Sequence, residues 1–326
     1  MYRKYYGLAR NPFDISPDRY FFYPTPRHNE ALANLNYGVQ RRRGFIVVTG
    51  EVGTGKTLLA RCLLDMLASN RISFAFVFNP ILSVEDFLYY VTMDLRLPIQ
   101  GKRKSEILVL LNNYLISRHR LGSTVALIVD EAHLLSFELL EEIRLLTNLE
   151  TSQQKLLQII LLGQPELDCK LDLPRLRQLK QRVSLRCRLE PLSAQELRGY
   201  LFSRLKLAGA SSHGGTLFSD EAIAAIHQYS GGIPRLINTI CENALISGYA
   251  RNASTITPDI IGEVAADFRL DLPPRSNNGE QDGTKDQPAD AHKTFVRDRL
   301  RLIFPPEANP QKQLAESGHE QGAKAQ

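Results

Sequence analysis

The chain has 326 residues, 43% hydrophobic and 23% charged, with a formal net charge of +5. That balance suits a globular protein with one large core, or a core plus a smaller domain, and argues against disorder except locally. Cys62, Cys169, Cys187 and Cys241 stand far apart without CxxC or Cys/His spacing, so neither a zinc site nor a disulfide framework is expected and a reducing compartment is.

The opening MYRKYYGLARNPF has no apolar signal core, and no run of about 18 apolar residues occurs, so no secretion and no membrane span are expected and the location is read as cytoplasmic. From Gly44 short β-rich runs alternate with helical patterns: FIVVTG, KTLLARCLLDMLA, SFAFVFN, two amphipathic stretches, TVALIVD, a helix from Phe137, and LLQIILLG. Near-continuous apolar strands are what a parallel sheet buried on both faces demands. The pattern predicts a three-layer α/β/α core over 44–190, closed by a fifth strand, VSLRCRL.

After Pro191 only helices are predicted. SAQELRGYLFSRLKLAG opens on a serine N-cap with glutamate three residues on and closes on glycine, and PRLINTICENALISGYA starts with proline. Residues 191–268 are read as a small all-α domain, 1–43 as an N-terminal linker segment, and 269–326 as a disordered tail poor in groups to bury. Within that tail TFVRDRLRLIF keeps Val296, Leu300 and Ile303 at helical spacing, as a chance fragment or as a docking helix. Basic runs at Arg41 to Arg43 and Lys102 to Lys104, and a cluster from Arg175 to Arg188, could attract nucleic acid or anionic lipid. Without interleaved aromatics, solvated faces are the simpler reading.

The chemistry is concentrated in GEVGTGKT: Gly50, Glu51, Val52, Gly53, Thr54, Gly55, Lys56 and Thr57. This fits G-x-x-x-x-G-K-[ST] between a strand and a helix, where loop N–H groups and the positive helix end receive phosphates. Lys56 would reach the β and γ phosphates of ATP, and the Thr57 hydroxyl would ligate Mg²⁺. TVALIVDEAH, some seventy residues later, ends an apolar strand in two acids. Asp130 stands at the strand's carboxyl end and suits the hold on Mg²⁺; Glu131 is placed to polarise the attacking water. His133 completes the letters DEAH of a helicase motif, but no second RecA-like domain fits in the remaining chain, so its role is read as structural.

With these residues in view, the sequence resembles the ExeA/GspA-type AAA+ ATPases, the general secretion pathway protein A-like family. The likeness rests on YYGLARNPFDISPD, FFYPTPRHNEALANLNYGV, GFIVVTGEVGTGKT, DEAHLLSFELLEEIRLLTNLE, IILLGQPEL, LKQRV and GGIPRLIN, and covers roughly residues 1–268. It implies a P-loop NTPase (AAA+) fold, ATP and Mg²⁺ as ligands, ATP hydrolysis and homo-oligomers. It also implies roles for three further residues or groups. Gln164, where the strand LLQIILLG stops, becomes the sensor of the γ-phosphate or its water; otherwise it is a plain loop residue. Arg175, Arg177 and Arg182 stand where the family carries an arginine finger, and Arg182, immediately before the last strand, is preferred. Arg235, at the first turn of a lid helix, becomes the lid arginine; unfavourable with the helix dipole, it suits an anion partner.

The implied function is an oligomeric motor or switch for a secretion, pilus or exopolysaccharide export system, with an export-machinery or envelope protein as partner. Secretion members continue into a transmembrane helix and a peptidoglycan-binding domain; neither pattern occurs here, so direct remodelling of the cell wall is not expected. Related transposition ATPases coat DNA with the same core, which gives the alternative of an ATP-controlled DNA-binding protein.

Overall fold

Five strands form one sheet, and the central three are buried along their whole length. The five are β1 (Phe45–Gly50), β2 (Ser73–Val77), β3 (Val125–Val129), β4 (Leu157–Gly163) and β5 (Val183–Leu189), arranged β2-β3-β4-β1-β5 with every pairing parallel. The structure, a computed structural model, describes residues 1–14, 16, 18–210 and 217–270. Of the expected tail, 269–326, only Arg269 and Leu270 are described; the rest, with its segment TFVRDRLRLIF, lies outside the described residues.

Helices cover both faces, and residue parity decides which side chain meets which layer. A short α1 (Tyr2–Tyr5) is followed by α2 (Pro26–Gln40) and by α3 (Lys56–Ser69), which leaves directly from β1 through the loop. Ile46, Val48, Ala126, Ile128, Ile160 and Leu162 bury themselves against Leu35 of α2 and Leu59 and Leu63 of α3. On the other face Phe45, Val47, Leu127, Val129, Ile159 and Leu161 pack against α4 (Val84–Asp94), α5 (Lys104–Arg120) and α6 (Phe137–Leu146) through Phe87, Leu111 and Ile143. Burial on both faces explains why the strands carry no polar alternation. β5, at the sheet edge, does alternate, with Arg186 and Arg188 exposed.

Two short helices, α7 (Glu166–Leu171) and α8 (Arg177–Lys180), link β4 to β5. Beyond β5 the chain is helical, as α9 (Ala194–Leu207), α10 (Asp220–Ser230), α11 (Pro234–Ala250) and α12 (Pro258–Asp267). Ser193 caps α9 in a capping box with Glu196, and Pro234 opens α11, so both helix starts fall where the sequence signals put them. By contacts Met1–Ile261 form one unit, which holds the sheet and α9 to α11, and Gly262–Gln326 a second.

Candidate functional site

All strands run the same way, so their carboxyl ends gather at one edge, and the β1–α3 loop opens there. Gly55 precedes α3 in the left-handed region, with φ 100°. At Gly53 (φ +83°) a Cβ would meet Arg235 Cβ at 2.7 Å and Ile233 Cγ2 at 3.0 Å. Glycine there is required because the start of α11 seats directly on the loop, where Arg235 N–H donates to Gly53 O at 3.3 Å.

Lys56 is buried, and its ammonium donates to Gly50 O at 2.8 Å and Glu51 O at 2.9 Å. Burial pulls its pKa down, opposed by the charges of Glu131, Asp130 and Glu51. Thr57 Oγ1 donates to Asp130 Oδ2 at 2.9 Å, and Glu131 N–H donates to Asp130 Oδ1 at 2.9 Å. Burial pushes the Asp130 carboxyl above its ordinary range, and these two hydrogen bonds oppose the shift. A carboxylate that close to the loop hydroxyl, over a buried lysine, fits a site for a divalent cation and the phosphates it neutralises.

Glu131 adopts φ 50°, rare for a side-chain-bearing residue, as the chain turns from β3 into a 3-10 turn over Ala132–Leu134. Such backbone costs about 1–3 kcal/mol and persists where the surroundings fix it. His133 sits in that turn with Nδ1 3.5 Å from Glu131 Oε2. Its Nε2 is 3.0 Å from Gln164 Nε2, and Gln164 N–H approaches Nδ1 at 3.5 Å. Burial lowers the His133 pKa, with Glu166 opposing. The topology thus brings Lys56, Thr57, Asp130, Glu131 and Gln164 to one edge of the sheet, because β3 and β4 are neighbours and β4 adjoins β1.

Arg235 lines the same pocket as Gly53, Lys56 and Glu131. Arg182 does not join them. It precedes β5, whose first residue pairs with Phe45 at the amino end of β1, and its guanidinium donates to Thr147 Oγ1 at 2.9 Å. Arg175 stacks on the Phe137 ring at 3.7 Å, and Arg177 is exposed.

The pocket, about 250 Å³, has a second wall that no sequence motif marked in detail: Phe21, Phe22, Tyr23 and His28 from the N-terminal segment, with Tyr200, Arg204 and Asn238 from the helices after β5. His28 Nε2 lies 3.2 Å from Thr54 O, and its Nδ1 lies 2.7 Å from Thr25 Oγ1. A carbonyl only accepts, so Nε2 carries the proton and the Thr25 hydroxyl donates to Nδ1. That arrangement needs the neutral ring, and burial lowers the His28 pKa accordingly. Buried Arg204 donates to Pro12 O and to Tyr200 Oη, each at 2.5 Å, and faces the Phe21 ring at 5.0 Å. Tyr200 in turn donates to Asn238 Oδ1 at 2.7 Å. The signal available in sequence was the Thr-Pro helix start at Thr25 and Pro26; nothing in it showed that His28 would turn toward the loop.

The family described as "AAA domain" matches residues 39–171. Over 257 residues, 78% of this chain, the sequence is 44% identical to "General secretion pathway protein A" of Aeromonas hydrophila, of which the match spans 46%. The chain belongs to the ExeA/GspA-type AAA+ family. It spans less than half the length of that family relative. Among solved structures, Cdc6p from Pyrobaculum aerophilum is similar with TM-score 0.58 and 18% identity, over 77% of this chain and 70% of that one. Drosophila ORC bound to DNA is similar with TM-score 0.58 and 16% identity, over 96% of this chain and 85% of that one. These establish the fold: a P-loop NTPase core of AAA+ type. Among the described residues no helix is long and apolar enough to cross a membrane.

Proposed function

We propose that this chain binds ATP with Mg²⁺ and hydrolyses it, as an oligomeric motor or switch that serves a secretion, pilus or exopolysaccharide export system from the cytoplasm. The observation that carries the enzymatic half is the Thr57–Asp130 hydrogen bond beside the buried Lys56 ammonium, at the carboxyl edge of a parallel sheet. Thr57 and Asp130 hold the cation, Lys56 and the amides of Gly50 to Thr57 hold the phosphates, and Arg235 approaches them from α11. Bound Mg²⁺ neutralises charge on the phosphate oxygens. Glu131 orients and polarises water, Gln164 contacts the γ-phosphate or that water, and Arg182 serves a neighbouring subunit. The export half rests on the 44% identity to a protein whose name places it in a secretion pathway.

Nucleotide titration and turnover of Lys56→Ala test the enzymatic half. Because this lysine supplies the ammonium at the loop, the variant should fold, bind ATP weakly and show no hydrolysis. Unchanged affinity and turnover would remove the assignment. For the export half, genes for export machinery beside the coding gene support it. Salt-dependent binding to non-specific duplex DNA would instead favour the ATP-controlled DNA-binding reading.

A further inference from the structure

His133 belongs to the DEAH letters and was assigned no chemistry, yet it lies between two residues that have been. Its Nδ1 stands 3.5 Å from Glu131 Oε2, an oxygen that is buried and makes no hydrogen bond among the described residues. Its Nε2 stands 3.0 Å from the Gln164 side-chain nitrogen. Two tautomers compete. A proton on Nε2 would face the amide –NH₂ and leave the Nδ1 lone pair against a carboxylate. A proton on Nδ1 gives Glu131 a donor and lets Nε2 accept from Gln164, satisfying both neighbours at the expense of the longer 3.5 Å approach of Gln164 N–H. Gln164 then keeps its Oε1 and a second amide hydrogen for a phosphate oxygen or a water.

The backbone around this contact is braced without the imidazole. Lys170 Nζ donates to His133 O at 2.6 Å and to Leu135 O at 2.9 Å, and Leu134 N–H donates to Glu131 O at 2.9 Å. Gly163, where a Cβ would lie 3.2 Å from His133 N and 2.9 Å from Leu167 Cδ2, lets the end of β4 come up against the turn. The ring is therefore not what holds the turn in place; what it does uniquely is join the Glu131 carboxylate to the Gln164 amide.

We infer that His133 is a positioning residue for ATP hydrolysis, which ties the water-polarising carboxylate of Glu131 and the phosphate-facing amide of Gln164 into one hydrogen-bonded unit. The inference rests on the ATPase reading and deepens it. Loss of the imidazole leaves each group free to rotate, which lowers turnover while the loop still binds nucleotide.

The test is steady-state ATPase kinetics on the full chain for His133→Ala, His133→Asn, Gln164→Ala and the Ala/Ala double variant, with thermal unfolding alongside. In His133→Ala kcat should fall about 10-fold or more while KM for ATP stays within about twofold, as for a lost group that acts only on the transition state. His133→Asn, which returns a donor toward Glu131, should recover part of the loss. The double variant should be scarcely slower than Gln164→Ala, since residues acting as a unit are non-additive. Parental kcat in His133→Ala, a loss carried wholly by KM, or additive losses in the double variant would each overturn the inference while the parent's turnover leaves the ATPase reading standing. A parent without turnover that Lys56→Ala abolishes would overturn both.

Discussion

The contact between the start of α11 and the phosphate-binding loop can be tested at a single hydrogen-for-methyl exchange. In Gly53→Ala the new Cβ would lie 2.7 Å from Arg235 Cβ and 3.0 Å from Ile233 Cγ2, against an ordinary carbon contact of about 3.5–4.0 Å. Arg235 Cβ is fixed by its backbone and cannot swing aside, so α11 must retreat by about 1 Å. That breaks the 3.3 Å hydrogen bond from Arg235 N–H to Gly53 O. A left-handed alanine at φ +83° costs about 1–2 kcal/mol, and the overpacking adds about 1–3 kcal/mol. Gly231→Ala is the matched control: its φ is +57° and nothing lies within 4 Å of the new Cβ, so it carries the backbone cost alone. For a domain of this size each kcal/mol lowers Tm by about 2–4 °C. Thermal unfolding should therefore show roughly twice the fall in Gly53→Ala, and titration with a non-hydrolysable ATP analogue should show weaker binding in that variant only. Equal melting shifts with unchanged affinity would mean that α11 does not seat on the loop.

Glu131→Gln keeps size and hydrogen bonding but loses the charge that orients water, so ATP should bind normally while turnover falls about 10² or more; normal turnover would take that role from Glu131. Arg182→Ala and Lys56→Ala are each expected to be inactive alone, yet mixtures should regain activity because some interfaces pair an intact loop with an intact finger; no recovery in mixtures that co-assemble by sizing counts against a trans-acting Arg182. Stability should also depend on pH through His28 and His133, whose pKa values burial holds below the ordinary 6.5. Below that pH the unfolded chain takes up protons that the folded chain refuses, so stability is complete above 6.5 and falls as pH drops below it. Urea unfolding on either side of pH 6.5 should show a shallower loss in His28→Asn than in the parent; an identical loss would show that His28 is not held neutral by the fold.

The strands were legible because a sheet buried on both faces leaves a one-dimensional trace: FIVVT, TVALIV and LLQIILL are apolar at nearly every position, buried Thr49 and Gln158 being polar exceptions. The loop was legible because glycine and lysine spacing is set by phosphate geometry within eight consecutive residues. Asp130 could be read from its place at a strand end. Gln164 needed the family resemblance, since one glutamine after a strand carries no pattern of its own. What the sequence could not show is contact across long separations. His28 reaches Thr54, Arg204 reaches Pro12, and Tyr200 reaches Asn238; His28 sits on α2 and Tyr200 and Arg204 on α9, each far along the chain from the partner that the fold brings to it. His133 is the sharpest case. Its neighbour Gln164 is 31 residues away, and only the adjacency of β3 and β4 brings the two together.

Strand direction also constrains what Arg182 can do. Val183 pairs with Phe45 and Leu189 with Gly50 in a parallel register, so Arg182 lies at the opposite edge of the sheet from the loop that follows Gly50. The separation is six residues of strand at about 3.3 Å each, about 20 Å, which is further than an arginine side chain extends. No rotamer of Arg182 can bring it to its own Lys56, and its guanidinium instead rests on Thr147. A catalytic role for this residue therefore requires a second copy of the chain, whose sheet edge meets Arg182 from outside. Oligomerisation and the arginine finger are in this sense one proposal: a monomer with full activity removes both together, whereas an active oligomer indifferent to Arg182 leaves assembly standing and sends the search for the finger to the exposed Arg177 or the ring-stacked Arg175.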